Sequence, residues 1–200
     1  MTSNLTINFA SRTNRLKSES AFEVLSKAKA LEARGREIIH LEIGQPNFPT
    51  PANICEAAFK AMKDGFTGYT QAAGLLEFRE VIAEHIFKTR GVSVAPEEVV
   101  VTPGAKPIIF FTLLALIDAG DEVIYPNPGF PAYESTINFV GGKPIPLPLL
   151  EEVDFRFKIE DLEGAISTKT KLLILNSPQK PTGGFLTAED LEAIAQIINN

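Results

Sequence analysis

The sequence predicts an α/β fold: three layers, with a mostly parallel sheet flanked by helices, and with the sheet incomplete within these 200 residues. Two observations carry that expectation. Short apolar runs such as Val123-Ile124-Tyr125 and Leu172-Leu173-Ile174-Leu175 are continuous rather than alternating, as in strands buried on both faces. These runs alternate with helical stretches, and each is followed by a loop of Pro and Gly, the pattern of successive βα units. The chain stops inside a helix straight after a strand, and three or four parallel strands make a thin sheet. It therefore reads as cut rather than finished.

Ser20 and Glu23 have capping-box spacing and open an amphipathic helix over 20–34, which Gly35 stops. Residues 38–43 read as a short strand that Gly44-Gln45-Pro46-Asn47 cannot continue. Helices are expected over 53–63 and 75–89, the second ended by Gly91, with a loop over 65–74 between them. Residues 99–102 read as a strand that turns at Pro103-Gly104 into an apolar helix over 105–117. A strand at 122–125 leads to a helix over 131–139. Residues 143–150, with Pro at alternate positions, read as an edge strand. A helix over 159–166, a strand at 171–175 and a Thr187-capped helix to the last residue complete the order.

Composition narrows the function. The net charge is 19 − 25 = −6, which offers no basic field for nucleic acid or anionic lipid. Cys55 is the single cysteine and His40 and His85 the two histidines, which argues against a disulfide and against a metal centre. The longest apolar run, 107–117, is too short to span a bilayer, and residues 1–15 lack the apolar core of a secretory signal. A soluble cytoplasmic protein is expected.

Three strand ends carry the chemistry. At Thr102-Pro103-Gly104-Ala105-Lys106-Pro107, small residues let backbone N–H groups of Gly104, Ala105 and Lys106 approach an anion at a helix N-terminus. The same residues also suit a plain tight turn. No G-x-G-x-x-G or G-x-x-x-x-G-K-[ST] is present. At Asn127-Pro128-Gly129-Phe130-Pro131, Phe130 either points into the crevice where such sheets bind ligands, able to stack on a planar ring, or is ordinary core. The third end is Asn176-Ser177-Pro178-Gln179-Lys180-Pro181-Thr182-Gly183. The convergence of three such loops on one sheet edge is more informative than any one of them.

These junctions resemble the class I/II, aspartate-aminotransferase family of pyridoxal-phosphate enzymes, fold type I. Ile39-His40-Leu41-Glu42-Ile43-Gly44-Gln45-Pro46-Asn47-Phe48 is similar to that family's L-x-x-G-E-P-D-F stretch. Gly68-Tyr69-Thr70-Gln71-Ala72-Ala73-Gly74 with Glu77-Phe78-Arg79 is similar to Y-T-x-x-x-G-x-x-E-L-R, and 176–183 to N-S-P-x-N-P-T-G. The resemblance implies that Gly104, Ala105 and Lys106 hold the phosphate of pyridoxal 5′-phosphate, that Phe130 stacks on its ring, and that Gly44 lies beside the substrate carboxylate. It implies that Tyr69 reaches the phosphate in a neighbouring subunit, hence a homodimer. Residues 1–46 would belong to an N-terminal arm and part of a small domain, and 47–200 to the N-terminal half of the cofactor-binding large domain.

Two departures matter. Lys180 stands where the family has an asparagine that donates to the ring oxygen; an ammonium can donate too, without the fixed direction of an amide. The Schiff-base lysine of S-x-x-K, the aspartate facing the pyridine nitrogen and two arginines lie downstream in the family and have no counterpart in this chain. The implied activity is transfer of an amino group from an amino acid to a 2-oxo acid, with the 200 residues alone inactive. A lyase of the same fold and a non-catalytic remnant are the alternatives.

Overall fold

The elements run α1 (Ser20–Glu32), α2 (Ala52–Lys63), α3 (Leu76–Arg90), α4 (Ala105–Leu116), β1 (Glu122–Asn127), α5 (Ala132–Val140), β2 (Lys143–Pro148), α6 (Ile159–Ala165), β3 (Thr170–Leu173) and α7 (Ala188–Asn199). They are seen in a computed structural model that describes residues 7–17 and 20–199. By contacts the chain divides into Met1–Glu19 with Lys106–Asn200, and Ser20–Ala105.

In the first unit, β1 lies between β2 and β3 and is parallel to both. Successive side chains of a strand point to opposite faces, and β1 is apolar on both. Val123 and Tyr125 pack with Leu113 of α4 and with Tyr133 and Ile137 of α5, joined by Leu172 and Ile174. Ile124, in register with Ile145 and Leu173, packs on the other face with Leu147, Leu162 of α6 and Ile194 of α7. The three-layer parallel arrangement expected from the sequence is therefore present.

The alternate prolines of β2 have a structural reason. Lys143 donates to the Asp121 carbonyl at one end, and Leu149 to the Asn127 carbonyl at the other, both at 2.8 Å. Odd-numbered N–H groups thus face β1. The even positions, which would present donors at the open edge, are Pro144, Pro146 and Pro148. Proline removes those donors and blunts the edge against further pairing. At the base of the same strands, the Ser167 hydroxyl (2.6 Å) and the Lys143 ammonium (2.9 Å) both donate to the buried Glu122 carboxylate and hold its pKa below the usual range.

The capping expected at Thr187 is observed: Thr187 N–H donates to Asp190 Oδ2 (2.9 Å) and Asp190 N–H to Thr187 Oγ1 (3.2 Å). Arg156 adds an ion pair to Asp190 at 3.0 Å. The expected Ser20 cap lies outside the described side chains.

In the unit Ser20–Ala105, α3 ends on Gly91 in the left-handed conformation (φ 68°), as the sequence suggests. Two expected strands are absent. Residues 99–102 are extended but carry no ladder; the Val101 N–H donates to the Ala73 carbonyl (2.9 Å), a loop rather than a strand. Residues 38–43 are also irregular, with Ile39 and Leu41 exposed. Apolar β-branched runs favour extended backbone, but a strand exists only where a partner strand meets it. Arg79, in the E-L-R-like stretch, is buried and donates to the Gly74 carbonyl (3.2 Å), the Pro96 carbonyl (2.9 Å) and Gln71 Oε1 (2.8 Å). It thereby shapes the loop that follows Tyr69.

Ile124→Ala is expected to cost about 2–5 kcal/mol, because it opens a cavity where β1 meets α6 and α7; urea unfolding checks this. His40 donates to Glu42 (2.6 Å) and Glu32 (2.8 Å), which raises its pKa above the ordinary imidazole value. Because the folded value is the higher one, this bridge contributes fully below about pH 6.5 and fades as pH rises through the folded value. His40→Gln should abolish that alkaline-side loss, as read from stability measured across pH 5–9, and NMR titration should place His40 above the free imidazole.

Candidate functional site

The loops after β1 and β3 and the start of α4 form the candidate site. The β1 loop turns sharply at Gly129: a Cβ there would meet the Pro126 carbonyl oxygen at 2.1 Å, so only glycine fits. That turn sets down Phe130 half-buried against the α4–α5 core, with its ring edge-to-face with Tyr133 (centroids 5.8 Å apart, 89° between planes). One part of the ring is thus held by core packing. Two ammonium groups address the rest: Lys180 Nζ lies 4.6 Å from the ring centroid and Lys106 Nζ 5.9 Å. Each such contact is worth about 0.5–1 kcal/mol when exposed.

Lys106, Phe130 and Lys180, named from the sequence on three separate loops, are therefore neighbours. Gly104 adopts φ +95°, open to glycine and strained for other residues, and no atom lies within 4 Å of where a Cβ would stand. Its N–H donates to the Thr102 carbonyl (2.8 Å) while Thr102 Oγ1 donates to the Gly104 carbonyl (2.7 Å). Gly104 thus makes the turn, and Ala105 and Lys106 open α4, where first-turn N–H groups have no intrahelical acceptor. Gly44 and Tyr69 lie in the other unit, both exposed.

Sequence reading missed two features of this site. Gln179 is buried, and its amide nitrogen donates to the Pro128 carbonyl (3.0 Å) and the Lys180 carbonyl (3.1 Å). At Gly184 a Cβ would meet the Asp154 carbonyl oxygen at 2.6 Å and that of Phe155 at 2.8 Å. The Gly183-Gly184 pair hints at a close approach, but no local signal announces the role of the glutamine.

Chemically, two cations around a half-buried aromatic ring beside a helix N-terminus suit a flat anionic aromatic ligand. Among the described residues, no group of three or more His, Cys, Asp or Glu side chains is placed to hold a metal ion, and no helix is long and apolar enough to cross a membrane.

A family profile described as Aminotransferase class I and II matches residues 36–200. The aspartate aminotransferase of Bacillus subtilis (strain 168) is 36% identical over 191 residues, covering 96% of this chain and 49% of that protein. The (5-formylfuran-3-yl)methyl phosphate transaminase of Methanocaldococcus jannaschii is 40% identical over 183 residues, 90% of this chain and 47% of that one. Among solved structures, aspartate aminotransferase from Thermus thermophilus with maleate superposes with a TM-score of 0.92 at 36% identity, covering 97% of this chain and 51% of that one. The chain spans about half the length of the curated relatives it matches.

Gly129→Ala is expected to cost roughly 1–3 kcal/mol, because a backbone carbonyl must move to admit the methyl group. The Phe130 resonances should shift with it, as read by NMR alongside urea unfolding; an unperturbed Phe130 would mean that this turn does not place the ring.

Proposed function

Because the chain belongs to the class I and II aminotransferase family, we propose that it forms part of an enzyme that moves an amino group from an amino acid to a 2-oxo acid with pyridoxal 5′-phosphate as cofactor. The observation that carries this reading is the meeting of Lys106, Phe130 and Lys180. The residues fit the group: an aromatic face, cations beside it, and the turn and first residues of α4 next to one of those cations. When bound, pyridoxal phosphate supplies a conjugated pyridine ring that withdraws electrons from the α-carbon of an amino acid joined to it.

The chain's own residues would do the following. The Ala105 and Lys106 N–H groups, with the dipole of α4, hold the phosphate, and Gly104 supplies the turn that lets it approach. Phe130 gives the ring a flat surface, and its packing on Tyr133 limits rotation. Lys180 donates a hydrogen bond to the ring oxygen in place of the family's asparagine. Gly44, with no side chain, leaves room for the substrate carboxylate. Tyr69, exposed in its own unit, reaches the phosphate in a second subunit of a homodimer. In the longer enzyme, residues 1–46 serve as arm and small-domain segment and 47–200 as half of the large domain, in the cytoplasm. That boundary differs from the contact division at Ala105/Lys106 because it follows function rather than packing.

Equilibrium titration with pyridoxal 5′-phosphate tests the reading. Phe130→Ala should weaken binding about two- to tenfold through loss of stacking. Lys180→Asn should tighten it by about the same factor, through a better-aimed hydrogen bond. Equal or weaker binding by the asparagine variant would make Lys180 an adapted donor rather than a poor substitute. Absence of binding by the unaltered protein would remove the cofactor reading altogether.

A further inference from the structure

The β1 and β3 loops are joined by one buried side chain. Gln179 is 7% exposed, and its Nε2 donates both across to the Pro128 carbonyl (3.0 Å) and along its own loop to the Lys180 carbonyl (3.1 Å). A primary amide carries two N–H donors on one nitrogen, so both are used. The main chain of the same residue is also held, its N–H donating to the Gly184 carbonyl (2.6 Å) and its carbonyl accepting from Gly183 N–H (2.8 Å). Pro128 stands two residues before Phe130, and Lys180 is the next residue after Gln179.

We propose that Gln179 is a positioning residue. Its amide sets the separation of the loop that presents Phe130 from the loop that presents Lys180, and so keeps the Lys180 ammonium over the ring. The geometry is independent of what binds there; the consequence for pyridoxal phosphate rests on the function proposed above. The chemistry requires a donor at this place. A glutamate of the same shape would turn lone pairs toward two carbonyl oxygens, and a leucine would remove the donor that joins the two loops. An anchored Gln179 also gives the site rigidity that neither Pro/Gly loop has alone.

Gln179→Leu and Gln179→Glu test this with two readouts. In the first, lysines are converted to 13C-dimethyl-lysine, and the Lys180 signal is assigned by Lys180→Arg. In the unaltered protein the Phe130 ring current should displace that signal, and Phe130→Leu should remove the displacement. Both Gln179 variants should lose it while remaining folded. Gln179→Glu should regain part of it toward about pH 5, where a buried carboxyl, its pKa raised, becomes a donor. In the second readout, pyridoxal 5′-phosphate affinity should fall roughly tenfold in both variants.

A displacement that persists in both variants overturns the proposal, as does Gln179→Glu failing to recover any of it at low pH. Unfolding of both variants while Phe130→Leu and Lys180→Arg stay folded would make Gln179 a general stability residue, which also overturns it. If the displacement behaves as expected but the unaltered protein binds no pyridoxal phosphate, Gln179 keeps its role and the cofactor reading fails instead.

Discussion

The constraint on which the site depends is the burial of β1 on both faces and its pairing on both edges. Val123 and Ile124 are fully enclosed on opposite sides of the sheet, and parallel neighbours take up the backbone groups of the strand. A strand held in this way cannot shift register by one residue without exchanging its two apolar faces and moving its hydrogen bonds. Its C-terminal end is therefore a fixed point. The loops that leave β1 and β3 start from positions set by that pairing, and Phe130 and Lys180 inherit them.

From that fixed point the loops are shaped by exclusion as much as by attraction. Gly129 and Gly184 each lie against a backbone carbonyl where a methyl group cannot fit. Gln179, itself buried, then ties the two loops through the two N–H donors of its amide. Two ammonium groups, of Lys106 and Lys180, are brought to one aromatic ring. The chain belongs to the class I and II aminotransferases.

Lys180 shows how a family pattern and local physics can diverge. Where the resemblance places an amide, this chain has an ammonium that lies 4.6 Å from the centroid of the Phe130 ring. Arg79 shows the reverse. Its place in a recognisable stretch suggests importance, and the three hydrogen bonds of its buried side chain supply a reason: the guanidinium shapes the 71–74 loop from within.

By itself the sequence determined the fold class, the order of the helices, the central strands and the Pro/Gly loops that end them. Those follow from local periodicity, from glycine and proline, and from short patterns, all properties of neighbouring residues. It did not determine which extended runs become strands: 99–102 and 38–43 are as apolar as β3 yet remain outside the sheet. Ladder hydrogen bonds require a partner strand, and local pattern carries no information about partners. The same reason hid Gln179, whose amide matters only because the Pro128 carbonyl, 51 residues away in sequence, lies 3.0 Å from it in space. The approach of Lys106 and Lys180 to one ring was likewise decided by tertiary structure, since distances between loops are set by the packing of the strands that launch them.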